Sequence, residues 1–365
     1  VSGLLERIQP HLREAPPYVP VEPPEGVAHR LGLPPGDIVK LDANENPYGP
    51  SPRVLEALAR VASYHVYPDP EQRKVRAALA SYVGFDSSWL VAGAGSDELI
   101  DLLVRLFVPP GGRIVNFPPT FGFYPFLAGV HGASVIDVVR GNDFSLDLER
   151  AARAAANAHI VFVASPNNPT GTLLTAGELR ALLAAGKPVI LDEAYVEFAA
   201  ESLTGLVREH ENLIVLRTLS KWAGLAGLRI GYMIARPELI EVVMRVKQPY
   251  SINVAAEAAT LASLADLDEL NDRVRAIVAE RERMASLLAG LPGIEVTPSR
   301  ANFVLCRLHG LSARDVHARL RERGILVRYF DTPLLQNHLR ISAGRPDQTD
   351  ALIRALREII APAKV

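Results

Sequence analysis

Ile160-Val-Phe-Val-Ala164-Ser165-Pro-Asn-Asn168-Pro169-Thr-Gly171 and, further on, Val189-Ile-Leu191-Asp192-Glu193-Ala194-Tyr195 decide the fold. Each opens on an uninterrupted apolar run and then breaks into polar residues. Such short runs are what strands buried on both faces require, and the Pro, Asn and Gly that follow the first mark its exit loop. Trp89–Ala92, Arg113–Phe117, Ser134–Val138, Leu213–Leu216 and Ile230–Ala235 repeat the pattern. Seven strand candidates separated by helical patterns predict a mainly parallel α/β sheet flanked by helices.

Outward from that centre the texture changes. Arg53–Ser63 and Gln72–Val83 read as helices around a turn at Tyr67–Pro70, and a long helical stretch runs from Asn253 to Leu288. Strand patterns at Ile294–Val296, Asn302–Arg307, Ile325–Phe330 and His338–Ser342 alternate with helices at Ser312–Arg323 and Asp347–Ile360, which predicts a smaller α+β domain. Eight prolines between Pro10 and Pro35 predict an extended arm, because fixed φ and missing donors disfavour helix and sheet. That arm is either a tether to a partner surface or a disordered leader. The expected division is residues 1–45 as an arm joining the small domain, 46–265 as the large domain and 266–365 as the small one.

The 365 residues carry 39 basic and 41 acidic side chains, a net charge of −2, which excludes a strongly electrostatic nucleic-acid binder. One cysteine, Cys306, excludes an intrachain disulfide and a cysteine-based zinc site, and the scattered histidines show no metal-ligand spacing. The start of the chain lacks the basic and apolar regions of a signal peptide. Prolines break both long uncharged stretches, 114–136 and 154–177, so no membrane span and a cytoplasmic location are expected.

Only six lysines occur, Lys40, Lys74, Lys187, Lys221, Lys247 and Lys364. Lys221 stands out, because it follows a strand and Thr218-Leu-Ser220, and precedes the Gly-rich Trp222–Gly231. Ser165–Gly171 and Asp192–Tyr195 occupy the ends of neighbouring strands, where ligands bind in open α/β sheets. Gly93-Ala-Gly95-Ser96-Asp97-Glu98 opens a helical pattern whose free N–H groups suit a phosphate, with Ser96 as a plausible N-cap. Asp97 and Glu98 would repel that phosphate unless they turn away. Taken singly, each cluster is ordinary turn or capping chemistry. Arg340 alternates with Leu339 and Ile341, which by pattern alone reads as a surface arginine.

In order and spacing, Gly95-Ser-Asp, Asn168-Pro-Thr-Gly, Asp192-Glu-Ala-Tyr195, Ser220-Lys221 and Arg229 resemble the fold type I pyridoxal-phosphate aminotransferases. Leu41-Asp-Ala-Asn44-Glu-Asn46-Pro-Tyr48, Tyr67-Pro-Asp, Arg217-Thr-Leu-Ser-Lys221 and Leu339-Arg340-Ile-Ser extend the likeness over nearly the whole chain. They draw it toward the branch that transaminates histidinol phosphate with 2-oxoglutarate, yielding imidazole-acetol phosphate and glutamate in histidine biosynthesis.

The resemblance implies roles. Lys221 would hold pyridoxal 5'-phosphate covalently and carry protons, and Asp192 would keep the pyridine nitrogen protonated. Asn168 and Tyr195 would bond the ring oxygen, and Phe121 would stack on the ring. Gly95, Ser96, Thr218, Ser220 and Arg229 would hold the cofactor phosphate, and Asp97 would be a further cofactor-binding residue. Tyr67 would reach that phosphate from the neighbouring subunit of a homodimer. Tyr18, Asn44, Arg328 and Arg340 would hold the substrate, with Arg340 forking onto its anionic group. Trp222 stands where a smaller residue is frequent, which leaves the pocket size open. The same cofactor residues also suit an aromatic or other amino-acid aminotransferase, a threonine-phosphate decarboxylase or, more distantly, a non-catalytic ligand-sensing domain.

Overall fold

The structure is a computed structural model that describes residues 2–361, so Lys364 lies outside the described residues. Twelve strands are formed: β1 (Val39–Leu41), β2 (Leu90–Ala94), β3 (Arg113–Asn116), β4 (Ser134–Asp137), β5 (Ile160–Ala164), β6 (Val189–Asp192), β7 (Leu213–Thr218), β8 (Ile230–Ile234), β9 (Ile294–Thr297), β10 (Phe303–Leu308), β11 (Ile325–Tyr329) and β12 (His338–Ser342).

All seven strands expected between residues 89 and 235 join one sheet, in the order β2-β8-β7-β6-β5-β3-β4. Six run in one direction, and β8 alone lies antiparallel, between β7 and β2. Every residue of β5, β6, β7 and β8 is buried, which explains sequences that stay apolar up to Asp192 at the end of β6 and Arg217-Thr218 at the end of β7. One face packs Val163, Leu191 and Val215 into one core, and the other packs Phe162, Ile190 and Ile214 into a second. Alternate side chains of each strand therefore feed different layers.

The second sheet has the order β1-β11-β12-β10-β9. Its surprise is β1, which pairs parallel with β11 (Val39 opposite Ile325) and so brings the early chain to the C-terminal sheet. The segment after β1 then threads between the two sheets. Asn302 Nδ2 donates to the Asn44 carbonyl at 3.0 Å, and Asn46 Nδ2 to the Trp222 carbonyl at 2.8 Å.

The arm departs from the extended expectation. Pro24–Leu31 is a helix that buries Val27 and Ala28, and a short helix spans Pro10–Arg13. Both begin on proline, whose missing N–H costs nothing in a first turn and whose φ already fits. Residues 14–23 do run without helix or strand. The expected long helix is two, Val254–Leu264 and Leu267–Ala289, interrupted at Ala265-Asp266. Among the described residues no helix is long and apolar enough to cross a membrane, and no group of three or more His, Cys, Asp or Glu side chains is placed to hold a metal ion.

Candidate active site

The helix Gly95–Phe107 starts directly from β2 and aims its first N–H groups at the carboxyl edge of the large sheet. Gly95 has φ +81°, and a Cβ there would stand 2.6 Å from Arg229 Nη2. Gly231, on β8, lies so close to Ser96 N that a side chain would strike that backbone. The two glycines thus let a helix start, a strand and a guanidinium converge. Thr218 Oγ1 accepts from Ser220 N at 3.1 Å and lies 2.9 Å from Ser220 Oγ, which brings both hydroxyls to the same place. Arg229 itself sits at φ 53°, a conformation that non-glycine residues adopt sparingly and that clusters at functional sites.

The two acidic residues of this helix start are both occupied. Glu98 folds back to accept from Ala94 N at 2.6 Å, and Asp97 pairs with Arg229 at 2.7 Å. Ser96 is not the N-cap: that position is Ala94, without a side-chain cap, and Ser96 lies inside the first turn.

Asp192 ends β6 and is buried. Its Oδ2 accepts from the Tyr124 hydroxyl at 2.6 Å and its Oδ1 from Ala194 N at 3.0 Å. Burial pushes the carboxyl up to about 6, against the pull of these two hydrogen bonds. A buried acid held this way calls for a cationic partner, which a protonated ring nitrogen supplies.

Lys221 shares a cavity of about 150 Å³ with Asp192, Ser96, Phe121, Asn168 and Arg229. Its Nζ donates to the Ala43 carbonyl at 3.0 Å, on the segment between the sheets. Burial first, and then the charge of Arg340, draw the amine down to about 8. Tyr195 is buried and its hydroxyl accepts from Asn44 Nδ2 at 3.0 Å. Asn44 also adopts φ 54°, and its backbone N–H and side-chain Oδ1 are both bonded to Ser342 Oγ at 2.9 Å.

Phe121, Asn168, Tyr195 and Lys221 are common to this cavity and to a wider cleft of about 620 Å³ between the sheets. Arg340 lines the cleft but is not the surface residue its alternation suggests: it is only 7% exposed. Its neighbours Leu339 and Ile341 enter the core, while its guanidinium donates to Asn168 Oδ1 at 2.6 Å and to the Asp42 carbonyl. Its Nε has no partner. Arg328 is directly opposite Arg340 across β11 and β12. Like charges facing each other destabilise a sheet, and an anion between them would relieve that repulsion. Tyr18, from the arm, completes that wall, edge-on to Phe123 and Phe126, and Arg328 holds the arm at the Val19 carbonyl (3.1 Å).

Two expected residues stand elsewhere. Tyr67 is 77% exposed, stacked on Tyr250 with ring centroids 4.4 Å apart, and reaches neither cavity of this chain. Trp222 is fully buried and lines neither cavity; it stacks on Tyr82 behind the lysine loop. The question of pocket size that it raised is thereby settled: it narrows nothing in front of Lys221.

Sequence reasoning missed Tyr124, Asp42 and the Ala43 carbonyl. Tyr124 reads as one more aromatic in Phe121-Gly-Phe-Tyr124, and only its fixed partner Asp192 reveals a polar task. Backbone carbonyls leave no trace in residue type at all.

A glycine-built anion cradle, a buried carboxyl in need of a cation and a buried amine of lowered pKa fit a phosphorylated aldehyde of a pyridine. The pattern of the family described as aminotransferase class I and II matches residues 36–356. The chain is 50% identical to a histidinol-phosphate aminotransferase of Roseiflexus castenholzii, over 98% of this chain and 99% of that one. It is 47% identical to the chloroplastic histidinol-phosphate aminotransferase of Nicotiana tabacum, over 96% and 86%. The crystal structure of histidinol-phosphate aminotransferase from Sinorhizobium meliloti in complex with pyridoxal-5'-phosphate superposes with a TM-score of 0.88 at 31% identity, over 97% of both chains.

Proposed function

The chain belongs to the class I and II aminotransferases, and from this premise we propose that it is a pyridoxal-phosphate enzyme moving the amino group of histidinol phosphate to 2-oxoglutarate. The geometric observation that carries the substrate class is the Arg328–Arg340 pair, facing across adjacent strands and opening on the cleft that Lys221 also lines. One planar fork accepts a phosphate or a carboxylate in bidentate fashion, so one wall serves both the phosphate ester and the dicarboxylic acid.

When bound, pyridoxal phosphate supplies an aldehyde for the amine and an electron sink for the carbon that loses its proton. The Gly95–Ser96 helix start, Thr218, Ser220 and Arg229 hold its phosphate. Asp97 acts through Arg229, fixing the guanidinium rather than touching the anion. Asp192 holds a proton on the ring nitrogen, and Tyr124 and the Ala194 amide hold Asp192. Phe121 would stack on the ring, and Asn168 and Tyr195 would bond its oxygen, with Asn44 orienting the Tyr195 hydroxyl. Lys221 Nζ takes the proton from the substrate carbon and returns it, an exchange suited to an amine near 8 in a site that works near neutrality.

The assay is direct. Purified protein with pyridoxal phosphate forms glutamate from histidinol phosphate and 2-oxoglutarate; no glutamate overturns the reading, and released carbon dioxide indicates a decarboxylase. Arg340→Lys is expected to raise KM for both substrates about tenfold or more while cofactor content stays, because a point charge cannot replace the fork. Unchanged kcat/KM sinks that role.

The exposed Tyr67–Tyr250 stack supports a homodimer in which Tyr67 completes the partner's phosphate site. Sedimentation is expected to give twice the 39.6 kDa chain mass; a monomer of full activity contradicts it. We place the enzyme in the cytoplasm, which fractionation of the source cells tests.

A further inference from the structure

Two carboxylates line the wide cleft, and they differ in one respect. Asp42 has a cation: Lys40 Nζ lies 3.1 Å away. Asp137 is exposed to the cleft, and among the described residues no basic side chain is paired with it. Its one hydrogen bond comes from Asn116 Nδ2, at 2.9 Å. Asn116 is 4% exposed, and its Oδ1 is buried without a donor. Buried polar atoms are almost always partnered, and an orphan marks a place where something is missing.

The topology gives this pair its meaning. Asn116 ends β3, Asp137 ends β4, and the two are partners in register. Both stand on the carboxyl edge of the large sheet, where β6, β5, β3 and β4 follow one another. At about 4.8 Å per strand, the edge that begins with Asp192 reaches β3 roughly 10 Å further on. The cleft is therefore bipolar. Arginines 328 and 340 line it with cations, the Asn116–Asp137 pair lines it with acceptors, and Lys221 opens on the same space, with Pro118 and Leu334 as apolar lining.

A ligand complementary to that lining carries an anion, an amine and a further group with an N–H donor. Resting on the function proposed above, we propose that Asp137, held by Asn116, is the specificity residue that accepts the ring N–H of the imidazole of the amino donor. A carboxylate in this place favours an imidazole N–H over a phenyl ring, and it disfavours the distal carboxylate of glutamate, which must be tolerated only in the second half-reaction.

The test compares Asp137→Asn and Asp137→Ala with the wild-type holoenzyme in single-turnover reactions. The donors are histidinol phosphate, the phosphate ester of 2-amino-3-phenylpropan-1-ol, and glutamate. Loss of a hydrogen bond to a charged group is expected to lower kcat/KM for histidinol phosphate roughly tenfold to a hundredfold, mostly through KM. Preference for imidazole over phenyl collapses in both variants, while the glutamate reaction holds its rate or gains. Unchanged preference between the two phosphate esters overturns the proposal while the function stands. Equal losses for all three donors assign Asp137 a structural role and overturn it too. A wild-type enzyme inactive on histidinol phosphate but active on glutamate overturns the function itself, and this inference with it.

Discussion

Lys221→Ala is expected to lower transamination by about 10⁴-fold, the upper range for a positioned proton-transfer group, and to abolish the absorbance of covalently held cofactor. The residue is asked to do two tasks, and both follow from its setting. Burial and the Arg340 charge hold the amine near 8, so a substantial neutral fraction is present at pH 7.5, where a solvated lysine has almost none. The neutral form is the one that attacks an aldehyde or takes a proton. Cofactor recapture by stripped wild-type protein should therefore accelerate with pH through a midpoint near 8. Sustained multiple turnover by the Ala variant, or borohydride labelling of another lysine, removes Lys221 from the mechanism.

Asp192→Asn produces the second large effect, with an instructive opposite sign in stability. Losing one partner of a buried charge pair costs about 3–5 kcal/mol, which corresponds to roughly 10²- to 10⁴-fold in rate. Stopped-flow half-reactions with glutamate measure it, and a loss under tenfold contradicts the role. Without cofactor the sign reverses. The Asp192 pKa is raised to about 6, so the folded chain binds this proton more tightly than the unfolded one. Its contribution to stability is lost as pH rises from about 4 through 6. At pH 7.5 the stripped Asn variant should melt above stripped wild type, because the uncompensated charge is gone. On the function proposed above, the site is held at a cost that a cationic ring would relieve.

How far residue order alone reached is best seen in particular elements. Strands β5 to β8 are buried on both faces, so their apolar runs announce them whatever surrounds them. Strand β1 has three residues, Val-Lys-Leu, and exists only through pairing with β11 nearly three hundred positions away; no local pattern encodes such a partner. The arm's helix was hidden by prolines that obstruct a helix interior yet suit its first turn.

The site divides along similar lines. Lys221, Asp192 and the glycines are legible because each residue type has few other reasons to occupy a strand end. Arg340 misleads, since period-two alternation separates core from non-core and does not distinguish a cleft from open water. By resemblance Asp97 is a cofactor residue and Glu98 has no task; the structure makes them an arginine partner and a backbone acceptor.

Trp222 is one of only two tryptophans, follows Lys221 in sequence, and is wholly enclosed, its indole N–H unbonded among the described residues. Its fluorescence should accordingly be blue-shifted and dimmed by energy transfer whenever a chromophore fills the adjoining chamber. The native chain thus contains its own optical probe of occupancy, with no label required.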